Sequence, residues 1–132
     1  MNVHCLGALR ASRSALPFLR RAEPALIVNV SSRFGSTARA SAGLFQGREL
    51  SYAYPIAEAA QNMLTLRIAE ELRASRIRVC AVHPGQVQTA SGCPNVTTTP
   101  AEAAARFLDW LESAPAELHG CYVALDTGRQ GW

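Results

Sequence analysis

Hydrophobic and polar positions along the chain follow two kinds of pattern. In three segments apolar residues recur every three or four positions, the spacing of one helix face; these are residues 3–21, 51–75 and 100–111. Three shorter segments are almost continuously apolar and rich in β-branched residues, as in strands buried on both faces; these are residues 25–31, 77–83 and 121–125. Helices and strands alternate in this order, which predicts an α/β fold of about three parallel strands with flanking helices in a single domain.

Two details refine this prediction. Leu64, Ile68 and Leu72 lie four positions apart and are expected in the core, and Thr99 followed by Pro100 is typical of a helix start. Residues 32–50 are rich in Gly, Ser, Ala and Arg and have no period, so we expect a long loop there.

In parallel sheets ligands bind beyond the carboxyl ends of the strands. Two polar, glycine-containing segments leave those ends, one from Ser31 onward and one from Pro84 onward. These two segments are therefore the candidates for a functional site.

Composition excludes several functional classes. The 132 residues are 48% hydrophobic, and 13 basic and 10 acidic residues give a net charge of +3 without a dense basic block, which disfavours nucleic-acid binding. No apolar run approaches the roughly 20 residues of a membrane span. The four cysteines are far apart, which favours free thiols and a reducing compartment, by default the cytoplasm. The basic, acid-free start of residues 1–21 leaves an organelle transit peptide as an alternative.

Several short motifs occur in an order that points to one family. Asn2 opens the first helix, Asn29-Val30-Ser31-Ser32 closes the first strand, Tyr54 lies near a helix start, and Pro84-Gly85-Gln86-Val87-Gln88-Thr89 follows the second strand. Together they resemble the short-chain dehydrogenase/reductase family. The resemblance is clear over residues 1–92 and weaker over residues 93–132, and it covers the second half of the family's Rossmann-like domain.

The resemblance implies hydride transfer between NAD(P) and a small alcohol or carbonyl compound. Tyr54 would be the general acid and base, Ser32 would hydrogen-bond the substrate oxygen, and Asn2 would support a proton relay. Pro84, Gly85, Val87 and Thr89 would pass the nicotinamide end of the cofactor. The resemblance implies no metal, and Cys80 and His83 would point to opposite faces of a strand.

Glu58 departs from the family pattern. The family places a lysine four residues after the tyrosine, where its charge lowers the tyrosine pKa and its ammonium group binds the nicotinamide ribose. A carboxylate at that place should raise the pKa of Tyr54, because a second negative charge disfavours the phenolate. Aligning Tyr52 instead places Ile56 at the lysine position, which is no better.

A second departure is the absence of a glycine-rich turn after a first strand, since Gly43 and Gly47 lie in the loop of residues 32–50. The sequence therefore predicts a truncated, impaired oxidoreductase of this family. The alternatives are a decayed reading frame and a non-catalytic interaction module that forms a homo-oligomer through the helices of residues 3–21 and 51–75.

Overall fold

A computed structural model of the chain, which describes residues 1–90, 95–114 and 116–132, shows a sheet flanked by helices on both faces. The strands lie in the order β1 to β4, with β1, β2 and β3 parallel and β4 antiparallel to β3. Their bounds are Ala25–Val30 for β1, Ile77–His83 for β2, Cys121–Ala124 for β3 and Gly128–Gln130 for β4. The predicted α/β, Rossmann-like class with three parallel strands is confirmed.

Four α-helices surround the sheet in the described part of the chain: Ala8–Leu19 (α1), Thr37–Ser41 (α2), Ala53–Glu71 (α3) and Pro100–Glu112 (α4). A π-helical turn, Asn2–Gly7, precedes α1. Short 3-10 turns lie at Arg33–Gly35 and Ala116–Leu118.

The long loop predicted for residues 32–50 is therefore partly helical. Ser36 begins α2 because its Oγ accepts a hydrogen bond from the Arg39 amide at 3.1 Å. The start predicted for α4 is confirmed, since Thr99 and Glu102 form a reciprocal capping box and Pro100 occupies the first turn.

The hydrophobic core has one layer on each face of the sheet, and the alternation along β1 separates them. Ala25 and Ile27 pack with Ile68 and Leu72 of the α3 side, and Leu26 and Val28 pack on the α4 side. As predicted, Ile68 and Leu72 are buried, and Leu64 is partly buried against the same cluster. This packing holds the start of α3 at the carboxyl end of β1.

Candidate active site

The carboxyl end of β1 leads directly into the first candidate residues. The Ser31 amide donates to Val82 O at 2.8 Å, which extends the pairing with β2 by one step beyond Val30. Ser32 is extended and 8% exposed, and its Oγ accepts a hydrogen bond from the Phe34 amide at 3.3 Å. The Ser32 hydroxyl is thus held at the point where the chain leaves the sheet.

A buried polar network fixes α3 against this end of the sheet. Ser31 Oγ donates to Asn62 Oδ1 at 2.6 Å, and Asn62 Nδ2 donates to Gly35 O at 3.1 Å. Asn29 Nδ2 donates to Thr65 Oγ1 at 2.8 Å. The sequence motifs do not include Asn62 and Thr65. Two polar residues three apart lie on one helix face, and this spacing could have predicted a buried polar contact with the polar end of β1.

Gly35 allows α3 to approach the Ser32 turn closely. A Cβ atom on Gly35 would lie 2.7 Å from the backbone carbonyl carbon of Glu58 and 2.8 Å from its Cβ. No larger side chain fits between these two backbone segments without movement. Gly35 therefore sets the distance between the Ser32 turn and the first turns of α3.

Tyr54 lies in the first turn of α3 beside Ser32, so the structure brings these two predicted residues together despite the long intervening loop. Its ring makes edge contacts with His4, at 5.8 Å between centroids, and with Phe34, at 6.3 Å. Burial raises the pKa of Tyr54, the Ser32 hydroxyl opposes this rise, and the Glu58 charge adds to it. Tyr54 remains 40% exposed and can be reached from solvent.

Glu58 is buried behind Tyr54 at 3% exposure, and its Oε1 lies 3.1 Å from His4 Nδ1. Burial raises the pKa of Glu58, and the neighbouring His4 acts in the opposite direction. The Tyr54 hydroxyl and Ser31 also lie near the carboxyl group, but Oε2 has no hydrogen-bond partner of normal geometry among the described residues. His4 was not predicted, because no spacing rule links it to Glu58.

Asn2 lies in the exposed π-helical turn, and this turn packs against α3. Its side chain forms no hydrogen bond with any residue in the described ranges. The structure therefore places Asn2 on the element that carries His4 but does not link its amide to Tyr54 or Ser32.

The segment after β2 lies at the same edge of the sheet as Ser32. Gly85 is buried with a φ of +90°, and a Cβ atom there would lie 3.4 Å from Asp126 Oδ2. Val87 is half-buried and Thr89 is exposed. Pro84 lines an open apolar cleft together with Val30.

Within the described ranges, no group of three or more His, Cys, Asp or Glu residues could hold a metal ion. None of the helices in those ranges is long and apolar enough to cross a membrane. Cys5, Cys80 and Cys121 are free thiols, and Cys93 lies outside the described residues.

Comparison with known proteins identifies the family to which this fold belongs. A family profile described as short chain dehydrogenase matches residues 1–99. The C-signal protein of Myxococcus xanthus is 34% identical over 96 residues, which are 73% of this chain and 54% of that protein. The chain thus spans about half the length of this relative.

Solved structures show the same partial correspondence. The NADPH-bound carbonyl reductase from chicken fatty liver superposes with a TM-score of 0.82 at 27% identity, covering 98% of this chain and 54% of that one. The carbonyl reductase Sniffer of D. melanogaster gives a TM-score of 0.80 at 22% identity with the same coverage, and supports the fold alone. On its sequence match the chain belongs to the short chain dehydrogenase family.

Proposed function

We propose that this chain supplies the proton-transfer half of an NAD(P)-dependent oxidoreductase acting on a carbonyl compound or alcohol. The observation that carries the proposal is the placing of Ser32 beside Tyr54 at the carboxyl edge of the parallel strands. A bound nicotinamide would supply or accept the hydride. Ser32 would hydrogen-bond the reacting oxygen, and Tyr54 would give it a proton or take one from it. Asn2 would support proton supply only after its exposed amide turns toward the site. We expect the protein to act in the cytoplasm.

The residues present fit one part of a nicotinamide cofactor. The cleft that Pro84 shares with Val30 is open and apolar, which suits the flat face of a nicotinamide ring. By the family resemblance, Val87 and Thr89 would be further contacts of the cofactor. Glu58 does not fit the ribose, since its carboxyl group is buried, faces His4 and has no ammonium donor.

Proton transfer is impaired by Glu58 in this proposal. A tyrosine that exchanges protons near neutral pH needs a lowered pKa, and both burial and the Glu58 charge raise the pKa of Tyr54. His4 offsets part of the Glu58 charge from 3.1 Å. The chain should therefore be a slow oxidoreductase at best.

Nicotinamide fluorescence tests this proposal. We expect NADH or NADPH to show a saturable change with the purified chain below millimolar concentration, and carbonyl reduction to be slow. Glu58→Lys should raise the rate, and Tyr54→Phe should abolish it. Arg73→Gln, on the exposed turn beyond the end of α3, does not line the cleft that Pro84 shares with Val30 and should leave cofactor binding unchanged. No saturable change with either cofactor would count against the proposal.

A non-catalytic interaction module is the second candidate function. The observation that favours it is a set of large apolar side chains exposed on α1, α3 and the turns before them: Val3, Leu6, Phe18, Ile56 and Met63. A matched relative is, moreover, named as a signal and not as an enzyme. These helices would then form a homo-oligomer through their exposed apolar faces.

Analytical ultracentrifugation distinguishes the module from a monomer. The interaction proposal expects a concentration-dependent dimer that Phe18→Ser weakens by at least tenfold. Leu108→Ser is the matched control, because Leu108 is 59% exposed but lies on α4. A strict monomer, or equal effects of the two substitutions, would reject the module.

A further inference from the structure

A cavity of about 100 Å³ opens beside Ser32 and combines positive charge with an aromatic wall. Three arginines line it, Arg33, Arg39 and Arg48, and none of its described lining residues is acidic. The loop of residues 32–50 supplies all three. Three positive charges in one small cavity favour the binding of an anion.

Within residues 1–90, 95–114 and 116–132, only one of these arginines has an acidic partner. Arg33 forms an ion pair with Asp126. The Arg39 side chain is half-buried and has no ion pair or hydrogen bond with the residues of the described ranges, and its Nε is fully buried. Arg48 lies with its guanidinium 5.8 Å from the centre of the Phe34 ring. The guanidinium groups of Arg39 and Arg48 thus have no anionic partner in the part of the chain that the structure describes.

His83 also lines the cavity and contributes an uncharged polar atom, Nε2. Burial and the charge of Arg33 lower the pKa of His83, so its imidazole is neutral at pH 7. Its Nε2 has no partner among the described residues.

Apolar side chains also line the cavity. Phe34 and Phe45 meet edge to face with their centroids 5.2 Å apart, and Leu44 lines the cavity with them. An occupant should therefore carry both an anionic group and an apolar or aromatic group. Guanidinium groups bind planar carboxylates through paired hydrogen bonds.

We infer that this cavity binds the carboxylate of an oxo-acid substrate with an apolar side chain. Ser32, which would bind the reacting carbonyl oxygen, lines the same cavity as the arginines, so one small molecule should carry both the carbonyl and the anion. Arg39 and Arg48 hold the carboxylate, and Phe34 and Phe45 contact the side chain. The inference rests on the proposed oxidoreductase function for the role of Ser32.

Binding without cofactor tests this inference separately from catalysis. The uniformly nitrogen-15-labelled chain is titrated with phenylpyruvate, with its neutral methyl ester and with inorganic phosphate, and amide shifts are followed by NMR. We expect phenylpyruvate to bind at least tenfold more tightly than the ester and to shift amides of residues 32–50.

Arg39→Gln should weaken phenylpyruvate binding about tenfold, whereas Arg39→Lys should retain most of it. Arg73→Gln is the matched control, because Arg73 is exposed beyond the end of α3 and does not line the cavity. Arg48→Gln gives a second measurement if Arg39→Gln fails to fold, with an expected loss of at least threefold.

Three results would overturn the inference: equal binding of the acid and the ester, equal losses for Arg39→Gln and Arg73→Gln, or displacement of phenylpyruvate by phosphate or NADPH at lower concentration. Cofactor binding and turnover of neutral ketones are separate readouts. Turnover of neutral ketones without any preference for the acid would reject the oxo-acid inference and leave the proposed function standing. Binding of the acid without any turnover would reject the proposed oxidoreductase function and leave the carboxylate-binding cavity standing.

Discussion

Removing the His4 side chain should destabilise the fold, because the buried carboxyl group of Glu58 then loses its partner. His4→Ala deletes the imidazole that lies 3.1 Å from Glu58 Oε1, while Glu58 stays 3% exposed. The carboxyl group then loses its one ion-pair partner within the described residues, and Oε2 already lacks a hydrogen bond. We expect the free energy of unfolding to fall.

The size of this loss follows from the geometry. A protonated imidazole 3.1 Å from the carboxylate would attract it by about 5 kcal/mol at an effective dielectric constant of about 20, whereas a neutral imidazole would contribute a hydrogen bond alone. The His4 side chain is 35% exposed, so water screens part of this energy, and bringing Glu58 out of water consumes much of the rest. A buried acceptor left without its partner costs about 1–3 kcal/mol, and we expect a loss in that range.

Urea unfolding at pH 7 measures the loss, with Glu58→Gln and the double variant completing a mutant cycle. Glu70→Gln is the matched control, because the Arg67 and Glu70 ion pair is 69% and 58% exposed and should contribute less than about 0.5 kcal/mol. A His4→Ala loss as small as that of the control, or equally large when Glu58 is already Gln, would refute the reasoning.

Three further predictions concern the same region and its support. Burial raises the pKa of Glu58 above its ordinary 4.5. The stabilising contribution of Glu58 is therefore fully present below pH 4.5 and is lost as the pH rises through the raised pKa. Urea unfolding across this pH range measures the loss of stability, which Glu58→Gln should remove. Gly35→Ala should cost about 1–3 kcal/mol in urea unfolding, because the new Cβ meets the Glu58 backbone at 2.7 Å; a neutral result would mean that the two segments separate easily. Thr99→Ala should cost about 1 kcal/mol in the same assay by removing the α4 cap, and an unchanged stability would show that the cap is dispensable.

The hydrophobic pattern was sufficient to predict the bounds of an element where that element is apolar and sharply bounded. β2 matches residues 77–83 because a continuous apolar run ends at Pro84. The helix predicted for residues 51–75 is shorter, Ala53–Glu71, and the one predicted for residues 3–21 begins with a π-helical turn. Helix ends depend on local hydrogen bonds that apolar spacing does not encode.

Other elements could not be found from the hydrophobic pattern. β4 has only three residues, carries no apolar alternation, and exists because Gly128 reverses the chain so that it pairs with Ala124. The second helix, α2, lies in a stretch without periodicity and depends on the Ser36 cap. Both are set by turn chemistry and tertiary contacts.

For the site, the motifs selected Ser32 and Tyr54, which the fold places side by side, and the departure at Glu58. They did not select His4, because an ion pair between residues distant in sequence leaves no local pattern. The motifs also did not select Gly35. A side chain is excluded at this position only because α3 packs against it. The catalytic roles of Ser32, Tyr54 and Asn2 and the cofactor contacts of residues 84–89 all stay predictions.

NADPH-dependent carbonyl reduction by the unmodified chain, by Tyr54→Phe and by Glu58→Lys tests whether the carboxyl group of Glu58 prevents efficient proton transfer by Tyr54. We expect only slow turnover for the unmodified chain, a faster rate for Glu58→Lys and no turnover for Tyr54→Phe. Rapid turnover by the unmodified chain that Tyr54→Phe abolishes and Glu58→Lys does not increase would contradict this expectation.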